Sequence, residues 1–519
     1  MKYKLKQTIC TYGKHLRDNL AQFAKNRSGA VVLLFGLTLI PVLGFIGGAI
    51  DFAYSYRART SLQNALDAAA LAAGRELDIS NSHSGAEQAA MKVLESNLGE
   101  GFPPGLNVNF NIDDGKVTAT ANINVDTYIL GVLGVNHFPV SVTSEVNIAG
   151  GTFEVVMALD NSGSMSGDKI SDLRGAAKNL VDILFSNQLS SDHVTVGLVP
   201  FAASVNVGSS NSNAAWMDQN GASSIHFEHF DANITRWAML DAIPNVSWGG
   251  CVEVRPSPHD VTDSEPNGGD SLFVPLFAPD EPDTSSSYIN DYIDDDDGAC
   301  PNWVKNGSNF TRQRRTCKYP GENANTSLAN GTRRGPNHLC DSQPLQALTN
   351  NHGQITAAIN SMNAYGGTNL VEGIMWGWRL LSPTEPFTEG KPYGEPHNTK
   401  ILILMSDGEN FHLGNSTHND SWFNAFGYHA QGRLGSPSNN TNTLRATMNT
   451  RTAESCTNTK AAGIIVYTLA LEISSSTTEN LLRDCASSPS RFFKIEDSDA
   501  LDDVFEAIAQ EISKLRITG

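Results

Sequence analysis

The residues of this chain best suited to chemistry are two carboxylates and three hydroxyls whose spacing favours a metal ion. Asp160, Ser162 and Ser164 lie in the segment DNSGSM, directly after the apolar run FEVVMAL. Thr368 lies in the segment GGTN, and Asp407 follows the apolar run ILILMS. Mg²⁺ prefers an octahedron of oxygen ligands and accepts few direct protein ligands. We therefore predict a Mg²⁺ site, with Mn²⁺ and Ca²⁺ as alternative cations. The three hydroxyls can bind the cation, while the two carboxylates accept hydrogen bonds from its waters and balance its charge.

A metal ion held in this way is suited to binding rather than to catalysis. Few anionic ligands contact the cation, so it stays electrophilic and can take a carboxylate from a protein partner. The alternative, a metal-assisted hydrolase, requires an activated water and a nearby general base, and the sequence identifies no such base. It also lacks a P-loop, an HExxH and a GxSxG motif. We predict that the protein is not an enzyme; a structural envelope protein with a vestigial metal site is a further alternative.

The elements that would position these side chains form an α/β pattern. The apolar runs predict strands at 153–160, 194–201, 401–407, 464–471 and 492–495. Apolar residues at helical spacing predict helices at 170–185, 355–362, 370–381 and 499–515. Continuous apolar strands alternating with helices are typical of a doubly wound parallel sheet covered on both faces. In such sheets ligands bind at the carboxyl ends of strands where the strand order reverses, so we expect Asp160 and Asp407 to flank that crevice.

Two polar segments, 202–345 and 408–440, interrupt this α/β domain of residues 151–519. The first contains four cysteines and is predicted to be a disulfide-rich insertion. The acidic run Asp294–Asp297 in it is interpreted as a surface run, because its spacing fits no Ca²⁺ loop. The second segment is interpreted as a solvated polar loop, and three histidines in it are the less favoured metal ligands: His412, His418 and His429.

Six cysteines follow the apolar N-terminal segment, and an even number predicts three disulfides formed in an oxidising compartment. These are Cys251, Cys300, Cys317, Cys340, Cys456 and Cys485. A zinc site is the alternative, but there is no CxxC pair and no His at ligand spacing from a Cys pair. We predict a bridge between Cys456 and Cys485 and two bridges among the other four.

Charge and hydropathy indicate a membrane protein. The formal net charge of −19 excludes nucleic acid as a partner. Residues 1–28 nevertheless contain seven Lys or Arg and one acid, and residues 29–50 contain no charge and suffice to span a bilayer. The positive-inside rule places the basic tail in the cytoplasm and the rest of the chain outside. A cleaved signal peptide and a prepilin-type leader cut after Gly29 are the alternatives to a retained anchor.

Residues 51–150 are predicted to form a helical stem and a small α+β module. The segment 51–77 is rich in helix formers, with one apolar face that could pack on its own domain or on another subunit. That face consists of Leu62, Ala65, Leu66, Ala69 and Ala70. Alternating runs on either side of the turn at 113–115 predict strands and a hairpin.

The segment DNSGSM, together with Thr368 and Asp407, resembles the DxSxS metal-ion-dependent adhesion site (MIDAS) of von Willebrand factor A domains. The resemblance covers roughly residues 151–519 and implies direct metal bonds from Ser162 and Ser164. It implies a bond from Thr368 that is direct or mediated by water. The distance along the chain from Asp160 to Thr368 exceeds the usual one in that family, and the insertion 202–345 accounts for the difference.

Residues 27–74 are similar to the start of TadG-like proteins of the bacterial tight-adherence (Flp) pilus assembly system. The shared features are RSG before the apolar run, Asp51 just after it, and LQNALDAAALAA from residue 62. Members of that group join such an anchor and stem to an exported von Willebrand A domain. The resemblance implies a bacterial inner-membrane protein with a periplasmic body that assists pilus assembly and surface attachment. Its partner would be a pilus-assembly component or a surface ligand.

Overall fold

The computed structural model divides the chain into two compact units, Met1–Ala149 and Gly150–Gly519, each with its own hydrophobic core. The residues that the structure describes are 28–80, 83–99, 104–113, 116–147, 152–186, 193–296, 298–329, 332–435 and 437–518. The predicted basic tail therefore lies, apart from Ser28, outside the described residues.

The first unit begins with one long helix, α1 (Ser28–Ser80), which contains Pro41. Within the described residues, its stretch Leu34–Leu77 is long and apolar enough to cross a membrane, by length and composition. Nine large apolar side chains of this stretch are exposed: Leu34, Phe35, Leu37, Leu39, Val42, Leu43, Phe45, Ile46 and Ile50. The predicted continuation of the apolar segment into a helical stem is confirmed, because no break separates the two parts of α1.

The rest of this unit packs on the stem. Helix α2 (His83–Leu98) is followed by the antiparallel strands β1 (Asn107–Asp113), β2 (Lys116–Asp126) and β3 (His137–Asn147), in the order β1-β2-β3. The predicted apolar face of the stem is buried against α2 and this sheet. The sequence predicted that this face packs either on its own module or on another subunit. The structure shows packing on its own module.

The second unit is built on a six-stranded sheet in the order β11-β10-β9-β4-β5-β8. Its strands are β4 (Thr152–Asp160), β5 (Val194–Phe201), β8 (Gln346–Thr349), β9 (Asn398–Ser406), β10 (Ile465–Leu471) and β11 (Phe492–Ile495), while the short pair β6 (Leu328–Ala329) and β7 (Thr332–Arg333) lies outside the sheet. Neighbouring strands are parallel except β5 and β8. The predicted α/β fold with a parallel sheet is confirmed.

Helices cover both faces of this sheet, which explains the continuous apolar runs of its strands. They are α3 (Asp168–Ser186), α7 (His352–Ser361), α8 (Leu370–Leu381), α9 (Thr441–Ala461), α10 (Ser476–Cys485) and α11 (Leu501–Thr518), while the short helices α4 (Arg236–Ala242), α5 (Asn302–Lys305) and α6 (Asn309–Arg314) belong to the insertion. Val155 and Met157 of β4 face the core shared with α3, α7 and α11. Val156 and Ala158 face the core shared with α8, α9 and α10.

The long insertion after β5 is part of the main core. The ring of Phe273 contacts that of Trp376 in α8 with centroids 5.0 Å apart, and Trp216 and Phe277 belong to the same buried cluster. The predicted bridge between Cys456 and Cys485 is confirmed and joins α9 to α10. The remaining four cysteines form the bridges Cys251–Cys340 and Cys300–Cys317.

The interpretation of the segment 408–440 as a solvated polar loop is wrong. His412 and His429 are 2% and 3% exposed, so they do not lie in a solvated loop, and burial lowers the pKa of His412 to about 4. The physical reason is that Phe423 and Tyr428 of the same segment are buried against the Cys251–Cys340 bridge.

The interpretation of Asp294–Asp297 as a surface run holds only in part, because Asp294 and Asp296 are exposed but Asp295 is not; Asp297 lies outside the described residues. Asp295 is buried and forms ion pairs with Arg312 and Arg315, at 3.1 Å to each. The side chain of Asp295 is therefore a structural anchor for the insertion.

Candidate functional site

The two predicted carboxylates lie at the carboxyl ends of neighbouring parallel strands. Strand β4 ends at Asp160, and β9 ends at Ser406, one residue before Asp407. The strands pair in register up to Leu159 and Met405. The chain leaves β4 for β5 on one side, whereas β9, β10 and β11 lie on the other. The strand order therefore changes direction beside Asp160, where parallel sheets bind ligands.

Asp160 organises the loop that follows it. Its side chain is fully buried; Oδ1 accepts a hydrogen bond from the backbone N–H of Ser162 at 2.8 Å, and Oδ2 accepts one from Ser406 Oγ at 2.5 Å. Burial raises the pKa of Asp160 to about 7, and repulsion by Asp407 adds to this effect. The carboxylate of Asp160 thus stabilises the turn that orients the side chains of Ser162 and Ser164.

The two serines of the motif and Asp407 form a short chain of oxygen atoms. Ser162 Oγ and Ser164 Oγ lie 3.0 Å apart, and Ser164 Oγ donates to Asp407 Oδ1 at 2.6 Å. The side chain of Asp407 is fully buried. These three side chains, together with Asp160, are therefore brought together as predicted from the sequence.

Thr368 is held beside them by backbone hydrogen bonds between loops. Gly163 N–H donates to Gly366 O at 2.9 Å, and Phe411 N–H donates to Thr368 O at 2.8 Å. A β-carbon on Gly408 would lie 2.7 Å from Thr368 Oγ1 and 3.7 Å from Ser164 Oγ. Glycine at position 408 therefore allows the loop after β9 to approach both hydroxyls.

A lysine that the sequence analysis missed also contacts the site. Lys169 Nζ lies 2.9 Å from Asp407 Oδ2 and 3.0 Å from Glu472 Oε2. Partial burial lowers the pKa of Lys169, but the hydrogen bonds to the two carboxylates outweigh it, and the net pKa is raised. The sequence feature that could have identified Lys169 is its position in the first turn of α3, directly after the motif.

The hydroxyls open onto a cavity of about 490 Å³. Ser162, Ser164 and Thr368 line one side of it, whereas Asp160 and Asp407 are not among the lining residues. The apolar part of the wall consists of Ala203, Leu339, Phe411, Leu413, Trp422 and Phe423. The cavity therefore combines three hydroxyls with an apolar surface, and the two carboxylates lie behind the hydroxyls.

The chemistry of these donors fits a hard cation. All five predicted side chains offer oxygen, and adjacent ligands of octahedral Mg²⁺ lie roughly 3 Å apart, which matches the 3.0 Å between Ser162 Oγ and Ser164 Oγ. In the described part of the chain, no group of three or more His, Cys, Asp or Glu side chains is placed to hold a metal ion. A cation here would therefore depend on the hydroxyls, which suits Mg²⁺ better than zinc.

Comparison with solved structures gives matches of low similarity. The vWF domain of the type V pili tip protein Mfa5 from Porphyromonas gingivalis is 10% identical, with a TM-score of 0.33, and the match covers 70% of this chain and 96% of that one. The PilB minor pilin from Streptococcus sanguinis is 11% identical, with a TM-score of 0.32 and 78% of each chain covered.

Proximal thread matrix protein 1 from the mussel byssus, solved with a zinc-occupied MIDAS motif, is 11% identical with a TM-score of 0.28. That match covers 70% of this chain and 46% of the byssus protein, so this chain spans less than half of its length. The identities and TM-scores are too low for the role of any residue in the three structures to be transferred to this chain.

The N-terminal segment gives a family match. No curated protein matches this chain. Residues 29–76 match the family model described as putative Flp pilus-assembly TadE/G-like. This segment includes the apolar run, Asp51 and the stem sequence that begins at Leu62. The family match is therefore confined to residues 29–76, and it agrees with the resemblance predicted for residues 27–74.

Proposed function

We propose that the second unit is a von Willebrand A-type module with a doubly wound sheet that binds a protein partner through Mg²⁺. In this proposal Ser162, Ser164 and Thr368 hold the cation, which supplies a positive centre for a carboxylate of the partner. The observation that carries the proposal is that all three hydroxyls open onto one cavity. The chain would then act as a membrane-anchored scaffold or adhesin that assists pilus assembly and surface attachment.

The charges around the site support capture of an anion. Lys169 lies 2.9 Å from Asp407 and offsets its charge. Asp160 and Asp407 do not line the cavity, so neither carboxylate is placed as a direct ligand of a cation on the hydroxyls. A cation on the hydroxyls would therefore keep most of its positive charge and favour a carboxylate as an additional ligand.

The apolar wall adds a requirement on the partner. Phe411, Trp422 and Phe423 line the same cavity as the hydroxyls. A partner segment that presents a Glu or Asp next to a large apolar side chain would fill both parts. Burial of that apolar side chain would contribute roughly 1.5–3 kcal/mol.

The bases that line the cavity do not favour a hydrolase. Glu409 is paired with Arg445 at 2.9 Å. His412 Nε2 lies 3.1 Å from both Ser421 Oγ and Trp422 O, and burial lowers the pKa of this histidine to about 4. Neither base is placed to activate a water, as metal-assisted hydrolysis requires. A binding role is therefore preferred over the enzyme alternative.

The first unit supplies the anchor in this proposal. Helix α1 contains an uncharged segment long enough to span the bilayer. Seven Lys or Arg residues precede that segment. By the positive-inside rule, we propose a cytoplasmic N-terminus and a periplasmic body at the bacterial inner membrane.

Retention of an envelope protein by the tagged, detergent-solubilised full chain tests the proposed function. The wild type and Asp160→Asn are compared with Mg²⁺ and with EDTA. We expect a pilus-assembly protein to be retained only by the wild type in Mg²⁺, because asparagine keeps the turn but removes the charge that balances the cation. Equal retention in all four conditions would show that partner binding does not use the cation site.

A further inference from the structure

The connection between β2 and β3 has an apolar tip that the proposed function does not use. Residues 127–136 read TYILGVLGVN and contain no charged side chain. Val132 is 89% exposed and Leu133 is 55% exposed, and Tyr128 is also largely exposed. Contiguous exposed apolar side chains of this kind mark an interaction surface.

The tip lies beside the apolar segment of α1 within the same compact unit. A β-carbon on Gly47 would lie 2.8 Å from Cβ of Ile129, and one on Gly44 would lie 3.4 Å from Leu133 Cδ1. The helix rises about 1.5 Å per residue, so Gly44 lies roughly 10 Å along the axis from Asp51. The tip therefore runs alongside the part of the helix that would lie within the bilayer.

Asp51 joins the tip to the helix at the end of that segment. Its carboxylate accepts hydrogen bonds from the backbone N–H groups of Tyr128 and Ile129, both at 3.0 Å, and of Leu130 at 2.7 Å. Asp51 is only 2% exposed. The first charged residue after the apolar segment is thus bonded to the tip rather than to solvent.

The backbone of the tip is well supplied with internal hydrogen bonds. The N–H groups of Thr127, Val132, Gly134 and Val135 donate to carbonyls within the loop. With the three bonds to Asp51, seven backbone N–H groups of the tip have partners inside the unit. A segment that enters hydrocarbon must meet this condition, because lipid offers no hydrogen bonds.

Aromatic and basic residues mark a membrane–water boundary at the same level. The rings of Tyr54 and Tyr128 are in edge contact with centroids 5.3 Å apart. Phe52 and Tyr56 are exposed, and basic residues follow at Arg57 and Arg59. Tyrosine is enriched at bilayer interfaces, and basic side chains extend toward the headgroups.

We propose that the tip Tyr128–Val135 inserts into the bilayer surface next to α1 and forms a second membrane contact. The occupant of this apolar surface is lipid, because the surface is continuous with the exposed apolar side chains of α1. The inference rests on the proposed membrane anchor. Two contact points joined by Asp51 would fix the orientation of the first unit on the membrane.

Nitroxide labels on the full chain in phosphatidylethanolamine–phosphatidylglycerol vesicles test this inference. The background is Cys10→Ser, since the other six cysteines are disulfide-bonded. Labels are placed at Val132→Cys in the tip, at Ile46→Cys in the anchor and at Glu145→Cys on the exposed face of β3. Collisions with oxygen, which enters lipid, are compared with collisions with a water-soluble nickel chelate.

We expect the ratio of oxygen to nickel collisions at Val132 to be several-fold higher than at Glu145 and close to that at Ile46. A water-like ratio at Val132 with a lipid-like ratio at Ile46 would overturn the inference and leave the anchor intact. Water-like ratios at both positions would overturn the anchor itself. A label at Val132 that neither reagent reaches would show that protein covers the tip, which would also overturn the lipid assignment.

Discussion

A variant in which Cys251 and Cys340 are both replaced by serine is expected to lose about 4.6 kcal/mol of its free energy of unfolding. The bridge joins residues 89 apart, so its removal restores much conformational entropy to the unfolded chain. Both cysteines are buried in a cluster with Tyr428 and with Phe423, which lines the cavity. We therefore expect this variant to lose partner binding as well as stability.

The Cys300–Cys317 bridge provides the matched control, because it spans only 17 residues. Its removal is expected to cost about 3.1 kcal/mol by the same relation. Denaturant unfolding followed by tryptophan fluorescence reports on the second unit, since all seven tryptophans lie at residue 216 or beyond. The account is contradicted if removing the long bridge costs no more than removing the short one.

Replacing Glu253 by glutamine is expected to lower the free energy of unfolding by about 3–5 kcal/mol. Arg236 and Glu253 form an ion pair in which neither side chain is exposed, and Arg433 Nη1 lies 2.5 Å from the other oxygen of Glu253. Glutamine would leave two buried guanidinium groups short of one negative charge. Since Arg433 lies in the segment after β9, the pair also joins that segment to the insertion.

Glu454→Gln is the control for this prediction. Glu454 forms an ion pair with Arg451, but its side chain is 49% exposed. Loss of an exposed pair costs about 1 kcal/mol or less. The same denaturant series measures both variants, and similar costs for Glu253 and Glu454 would show that the buried pair does not hold the two segments together.

The parallel sheet and the close approach of the candidate metal ligands could be predicted from the sequence because both depend on local patterns, whereas the binding of a cation stays a prediction. Apolar runs such as ILILMS are buried on both faces, so their composition reports the parallel sheet directly. Asp160, Ser162 and Ser164 are close in the chain, and the hydrogen bond from the Ser162 N–H to Asp160 is local. Thr368 and Asp407 were found because they stand at the ends of recognisable elements.

The parts that were missed depend on contacts between distant segments. His412 is buried because its segment packs on the Cys251–Cys340 region. No hydrophobic periodicity in the sequence predicts this packing. The burial of Asp295 was not predicted, because its partners Arg312 and Arg315 become neighbours only after the insertion folds. The contact between Asp51 and the tip of the β2–β3 connection joins residues about 80 positions apart, and the sequence offered no sign of it.

The most direct test of the central claim is calorimetric titration of Mg²⁺ into the metal-free full chain. We predict that the wild type binds a single Mg²⁺. Ser164→Ala and Gly408→Ala should each lose about tenfold or more in affinity, the first by removing a ligand and the second by displacing Thr368. Ser171→Ala and Gly175→Ala are the matched controls, because neither residue lines the cavity, Ser171 is exposed on α3, and a β-carbon on Gly175 would meet nothing within 4 Å. Wild-type affinity in Ser164→Ala, or no Mg²⁺ uptake by the wild type, would contradict the proposed site.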